Sequence, residues 1–522
     1  MSDKKKVTYV SVTRDENIHE EYEQALVKIE PELGEHHPMF IGNQNVFSME
    51  EFVVRSPIDT DIVIGHFQKA NGEHAQLAIS EAKKSFYNWS QTNWKDRMRI
   101  IRIAAEVLDQ EKFLLSALIT YEAGKNRFES LAEVEEAIEM LRYYCDIYQQ
   151  NDGYIISMAA DSPNERNMSV MKPHGVLAII SPFNFPVALA AGMVSAALLT
   201  GNTVVFKPTS KASLSGLKLY RAFITGGVPA GAINVVTGPG EPFGEVVVAH
   251  PDVDGIAFTG SRAVGMWLQR NFTMEQPYPK PIISEMGSKN PAIVTAHAVL
   301  DDAVEGVING AFNYSGQKCS ATSRVYVHAT VAPQFMEKLR AKVEELKVGD
   351  PRQREVFMGP VIDQEALNTF KKSVELCKKD GGVIVTGGEV LTENIYSKGY
   401  YVRPTVVTGL PRGHRLFKDE LFVPLVVMDT FTSLEDALAE ANTTEFGLTA
   451  GIFSEYDEEV ERFFNTIQFG VCYSNRRGGA TTGAWPGAQS FCGWKGSGST
   501  GKGVGGPYYL QSYQREQSQS RL

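Results

Sequence analysis

Residues 175–201 carry no charged side chain, a run long enough to cross a bilayer, but Pro182, Asn184 and Pro186 break it near its middle. The break favours a buried strand over Gly175 to Ile180, a rigid loop, and an apolar helix from about Val187 to Leu199. Asn202-Thr203-Val204-Val205-Phe206-Lys207-Pro208 then reads as a second strand ending in Lys207, which completes a parallel βαβ unit. The alternation continues with a helix over Leu217 to Phe223, a strand over Ala232 to Val236, a helix over Gly240 to Ala249 and a strand over Gly255 to Phe258. These elements predict an α/β fold with a doubly wound sheet. Ligands of such sheets lie beyond the carboxyl ends of the strands, where Asn184, Lys207 and the Thr259-Gly260-Ser261 turn would fall. Phe258 to Gly265 reads as strand end, turn and helix start, able to hold a pyrophosphate on backbone N–H groups without the usual dinucleotide fingerprint.

At 522 residues the chain exceeds one ordinary hydrophobic core and predicts two or three domains. The second half repeats the pattern: helix 301–313, strand Arg324 to Val327, helices Ala332 to Leu346 and Gln364 to Lys379, strand Val383 to Thr386, and a Pro/Gly-rich stretch from Tyr400 to Arg415. It reads as a second α/β domain, with the site in the cleft between the two. Tyr508 to Tyr513 is expected to pair with a strand such as Met168 to Met171, and the first 35 residues to hold a surface helix. Gly496-Ser497-Gly498-Ser499-Thr500-Gly501-Lys502 comes within one residue of a phosphate-binding loop, but no strand leads into it and Pro507 interrupts the start of any long helix after it. A flexible loop is expected there.

Cys319 stands between Lys318 and Ser320 in a polar turn. A lone cysteine can be a small buried hydrophobe. Beside a cation in a turn, its pKa can instead fall and make it a nucleophile. Glu285 sits among small residues before an apolar run, where it reads either as a surface carboxylate ending a strand or as a desolvated general base. Asn184, rigidly placed between two prolines, is ordinary turn chemistry or a donor to a developing oxyanion.

Charge and cysteine usage remove other classes. A net charge of −11 argues against a general affinity for nucleic acid or anionic membrane. The opening Met-Ser-Asp-Lys-Lys-Lys lacks a following apolar segment and a small-residue cleavage site, so no secretory signal is expected. Cys145, Cys319, Cys377, Cys472 and Cys492 are odd in number and scattered, a pattern suited to a reducing cytoplasm, with neither a disulfide framework nor metal-ligand spacing. No metal is expected.

In order, Pro-Phe-Asn-Phe-Pro (182–186), Phe-Thr-Gly-Ser (258–261), Glu-Met-Gly-Ser-Lys-Asn-Pro (285–291), Gly-Gln-Lys-Cys-Ser (316–320), Glu-Leu-Phe-Val-Pro (420–424) and Phe-Gly-Leu-Thr-Ala-Gly (446–451) resemble the aldehyde dehydrogenase superfamily from about Pro57 to Ser512. The resemblance implies a Rossmann-type cofactor domain (1–152 and 173–285), an α/β thiol domain (286–476), and an oligomerisation flap with a substrate-anchor loop (153–172 and 477–522). It implies a homo-oligomer that oxidises a small-molecule aldehyde to an acid with NAD or NADP. Cys319 would be the nucleophile, Glu285 the base and Asn184 the oxyanion donor. Ser181, Pro182, Phe183, Lys207, Ser210, Gly240, Phe258, Thr259, Gly260, Ser261, Glu420 and Phe422 would hold the cofactor. Many members carry Glu where this chain has Ser210; the neutral side chain and neighbouring Lys211 leave NADP open.

Gly316 to Arg324 and Gly505-Gly506-Pro507-Tyr508-Tyr509-Leu510 resemble more narrowly the group that oxidises glutamate γ-semialdehyde, the hydrolysed form of 1-pyrroline-5-carboxylate, to glutamate in proline catabolism. That resemblance gives Ser320, Gly483 and Ala484 as anchors of the substrate's α-carboxylate and amine. The loop departs from the group at Trp485-Pro486 and Ser490-Phe491-Cys492, and Val423 stands where Gly is usual. Trp485 could line a pocket for neutral or aromatic aldehydes, making a broad-range aldehyde dehydrogenase the alternative, and Arg476 with Arg477 could grip an acidic aldehyde. A non-catalytic binding or structural protein of the same fold is the alternative of a different class.

Overall fold

The computed structural model describes residues 16–479 and 485–522. The charge-free run folds as its break demands: strand Val176–Ile180, an irregular turn through the prolines, and helix Ala188–Leu199. The neighbouring strands Val176–Ile180, Thr203–Lys207 and Ile233–Val235 run parallel on one side, and Val253–Thr259 and Ile282–Glu285 run parallel on the other. Strand order therefore reverses between Val176–Ile180 and Val253–Thr259, and a crevice opens at such a point beyond the strand ends. Met39–Ile41 and Gln44–Val46 add an antiparallel edge, giving seven strands.

Alternate side chains of this sheet enter different cores. Val176, Ala178, Val205 and Ile256 pack with the Gly72–Gln91 and Gly240–Ala249 helices. Leu177, Ile179, Val204 and Phe206 pack on the opposite face with Ala188–Leu199, Ser213–Gly226 and Arg127–Gln150. Burial on both faces explains why the strands read as continuous apolar runs.

The second sheet has the order Val383–Thr386, Thr405–Thr408, Leu425–Phe431, Thr322–His328, Asn290–Val294, Thr449–Phe453 and Val471–Ser474, parallel except at the first pair. Thr405–Thr408 lies inside the Pro/Gly-rich stretch, where no strand is legible in the sequence. Gln514–Arg521, Arg166–Pro173 and Ile155–Met158 form a three-stranded antiparallel sheet.

One sequence expectation is corrected here. Tyr509–Tyr513 is a short 3-10 turn, and the partner of the 166–173 strand is the polar segment after it; backbone bonding requires no apolar alternation when both faces meet solvent. The helix Glu16–Ile29 lies on the surface as expected and buries Tyr22, Ala25 and Ile29 on its inner face. Among the described residues, no helix is long and apolar enough to cross a membrane.

Candidate active site

Cys319 sits just beyond a backbone bend that sequence alone does not reveal. Tyr314, Ser315 and Gly316 all have positive φ, at 52°, 55° and 66°. For the two residues with side chains this costs of order 1 kcal/mol each, and it persists because the surroundings fix it. Ser315 Oγ donates to the Gly359 carbonyl at 2.8 Å, Ile362 N donates to Gln317 Oε1 at 2.8 Å, and Asn313 Nδ2 donates to Glu129 Oε1 at 2.6 Å. Beyond the bend, Asn290 Nδ2 donates to the carbonyls of Cys319 and Ala321 at 2.8 and 2.9 Å, and Ser288 Oγ also donates to Cys319. The thiol is thus mounted where the Asn290–Val294 and Thr322–His328 strands begin.

Lys318 does not serve the thiol as expected. Its Nζ lies 2.5 Å from Glu129 Oε2 in a buried ion pair with the Arg127–Gln150 helix. The Cys319 thiol is pushed up to about 12, by burial first and then by the charges of Glu285, Glu420 and Glu136.

Glu285 ends the Ile282–Glu285 strand, paired with Thr259. Burial pushes its carboxyl well above the usual range, and Oε2 has no hydrogen-bond partner within the described residues. The expected flexible Gly-Ser loop closes onto this strand. Ser499 Oγ donates to the Ile282 carbonyl and accepts from Ser284 N, Met286 N donates to the Ser497 carbonyl at 2.8 Å, and Ser497 Oγ donates to the Gly287 carbonyl at 2.7 Å. Unpaired strand-edge donors and acceptors recruit the loop, an interaction with no local sequence signature.

A cleft of about 520 Å³ joins these elements. Ser181, Pro182, Phe183, Asn184, Phe258, Thr259, Gly260, Ser261, Glu285, Cys319, Glu420 and Phe422 all line it. Asn184 is only 3% exposed. Ser261 caps the Arg262–Glu275 helix by accepting from Val264 N. Glu420 Oε1 accepts from Ser288 N at 2.7 Å, and its other oxygen would lie 2.1 Å from a Cβ on Gly287, so a side chain there would displace the carboxylate. Burial raises the Glu420 carboxyl to about 7. Phe422, at φ 59°, meets Phe183 edge to face at 5.9 Å.

Lys207, Ser210 and Gly240 do not line that cleft. Lys207 is buried at its strand end, donates to the Pro208 carbonyl at 3.1 Å, and is lowered to about 8 by desolvation. Ser210 lies between Thr209 and Lys211, which do line it; Gly240 begins an exposed helix end. Lys211 Nζ pairs with Asp363 Oδ2 at 2.6 Å.

A smaller cavity of about 40 Å³ shares Cys319, Leu189 and Phe491 with the cleft and adds Ser320, Glu136, Trp485 and Gln489. Gly483 and Ala484 lie outside the described residues. Arg476 holds Gln489 Oε1 at 3.0 Å, whereas Arg477 pairs on the surface with Asp302 and Glu305. Glu136 escapes a motif search. Its signal is a helical row of carboxylates, Glu129, Glu133 and Glu136, within a largely buried helix.

The aldehyde dehydrogenase family profile matches residues 46–518. A 1-pyrroline-5-carboxylate dehydrogenase of Geobacillus sp. (strain WCH70) is 37% identical over 505 residues, 96% of each chain. The crystal structure of 1-pyrroline-5-carboxylate dehydrogenase from Thermus with bound NAD superposes with a TM-score of 0.93 at 33% identity, covering 98% of both chains. Proline utilization A from Bdellovibrio bacteriovorus matches with a TM-score of 0.92 at 32% identity over 97% of this chain, which spans 52% of that longer one.

Proposed function

This chain belongs to the aldehyde dehydrogenase family, and from that premise we propose that it oxidises L-glutamate γ-semialdehyde to L-glutamate with NAD or NADP, a step of proline catabolism. The observation that carries the reading is Cys319 on the wall shared by two cavities, one large enough for a dinucleotide and the other holding Ser320 and the Glu136 carboxylate.

Cys319 Sγ attacks the aldehyde carbon, and its proton leaves to a base, since only the thiolate is a competent nucleophile. Asn184 and the Cys319 N–H donate to the oxyanion of the thiohemiacetal. When bound in the cleft, the oxidised nicotinamide cofactor would supply the two-electron oxidant for that carbon, as a hydride acceptor. Glu285 then takes a proton from the water that hydrolyses the thioester, releasing the acid and the thiolate. Its raised carboxyl makes it a stronger base when ionised, and its unpartnered Oε2 leaves a lone pair for that water.

The cleft suits the cofactor: it lies at the strand-order reversal, with a capped helix N-terminus at Ser261 and the Glu420 carboxylate fixed by a backbone donor. Ser181, Pro182, Phe183, Lys207, Ser210, Gly240, Phe258, Thr259, Gly260, Ser261, Glu420 and Phe422 would hold it. Residues 1–152 and 173–285 form the cofactor domain, 286–476 the thiol domain, and 153–172 with 477–522 the flap and anchor loop. Ser320, Gly483 and Ala484 receive the substrate's α-carboxylate, and Glu136 faces its ammonium. The chain acts in the cytoplasm as a homo-oligomer joined through the three-stranded sheet, whose Ile155, Ile156 and Met158 are exposed.

Steady-state reduction of NAD and of NADP, with glutamate γ-semialdehyde compared against hexanal, tests the reading. A kcat/KM preference for the semialdehyde that Glu136→Gln erodes through KM supports it. Preference for hexanal moves the function to neutral aldehydes, with Trp485 shaping the pocket.

A further inference from the structure

We propose that His36, Glu51 and His66 form a binding site for a borderline divalent transition metal such as Zn²⁺ or Co²⁺. The three residues are 15 apart in sequence, so no motif announces them. The sheet made by His36–His37, Val63–Gln68 and Glu51–Arg55 brings them together. His36 and His66 are partners across a parallel pair, and Glu51 comes from the third strand, antiparallel to the second. One ligand atom from each lies within 4.8 Å of the others, and among the described residues no other three His, Cys, Asp or Glu side chains converge in this way. A tetrahedral ion with ligand bonds of about 2.0–2.2 Å separates its donors by roughly 3.3–3.6 Å, so side-chain rotation of about 1 Å closes the site.

The arrangement includes support for the ligands. Gln68, 1% exposed, donates to Glu51 Oε1 at 2.7 Å and to the His37 carbonyl at 3.2 Å, while Ser48 N donates to its Oε1 at 2.9 Å. One carboxylate oxygen is thereby fixed and the other faces His36 Nδ1 at 2.8 Å, the kind of outer support that orients metal ligands. The two imidazoles stack at 4.3 Å and 13°, holding both rings beside that oxygen. A surface His–Glu hydrogen bond alone explains one ring but leaves the second unaccounted for. Two imidazoles and one carboxylate select zinc-like ions over the oxygen-seeking Ca²⁺ and Mg²⁺, and leave the fourth position to water. Occupancy would clip three strands together and raise the melting temperature by mass action.

Co²⁺ titration of the untagged full chain, monitored by visible absorption and equilibrium dialysis, tests this in a Cys319→Ser background that removes the cleft cysteine as a competing ligand. One Co²⁺ per chain, displaced by Zn²⁺, is expected. His36→Gln with His66→Gln should abolish uptake, and Glu51→Gln should weaken it about tenfold or more. Each single His variant serves if the double variant fails to fold by circular dichroism. Absence of uptake, or uptake unchanged in these variants, overturns the proposal. Neither result bears on aldehyde oxidation.

Discussion

Two buried carboxylates have opposite surroundings. Glu122 accepts from the N–H groups of Leu214 and Ser215 at 2.8 and 2.9 Å and from the Ser215 hydroxyl, capping the Ser213–Gly226 helix. Its neighbour Glu133 pairs with Lys125 at 2.7 Å and caps Ala188–Leu199 through Val187 N and Ala188 N. Glu285 is almost as deeply buried, yet Oε2 meets no donor among the described residues. The environments of Glu122 and Glu285 both raise a carboxyl, so a perturbed acid alone does not mark a base; what separates Glu285 is an oxygen with no donor among the described residues, in the cleft that also holds Cys319.

Substitutions can break this contrast. The largest effect is expected from Cys319→Ala, which should abolish turnover, by about 10⁴-fold or more, while thermal unfolding and cofactor binding stay as in the parent. Retained oxidation would remove the nucleophile from the scheme. Glu285→Gln should lower kcat by about 10²–10⁴-fold with no loss of stability, because no internal bond of Oε2 is broken. A fall in melting temperature without a kinetic effect would place Glu285 with the framework acids. Glu133→Ala should do the reverse: it leaves Lys125 buried without that partner, and denaturant unfolding should show a loss of about 3–5 kcal/mol.

The smallest effect is a pH dependence. Glu122 is raised from 4.5 to about 7, so the folded state holds its proton more tightly than the unfolded chain. That contribution is present below the unfolded value and disappears as pH rises through the folded one. From pH 5 to pH 7 it removes about 2 kcal/mol of stability. Glu122→Gln should flatten that part of the profile in chemical denaturation, and an unchanged slope would mean that the three donors outweigh desolvation.

The same contrast explains what was legible. Helices Gly240–Ala249 and Gln364–Lys379 stand at the residues expected from sequence, and the strands after the charge-free run shift by one or two, because burial on both faces writes continuous apolar runs. Cys319, Glu285 and Asn184 stand out in the sequence, and the fold brings them into one cleft. Lys318 misleads because adjacency in a turn does not say which carboxylate receives the charge; Glu129, 189 residues earlier, does. Glu136 lies hidden in a helix whose Glu content reads as solvated. The Gly-Ser loop looks mobile by composition, but its hydroxyls answer a strand edge more than two hundred residues away.

That last pairing bears on how the protein is made. The strand carrying Glu285 emerges from the ribosome long before Ser497 and Ser499, so its edge stays without the loop over the synthesis of more than two hundred residues. A nascent chain therefore carries Cys319 and Glu285 well before the segment that closes the Glu285 strand edge arrives. Closure of that edge waits on synthesis of the 497–499 segment.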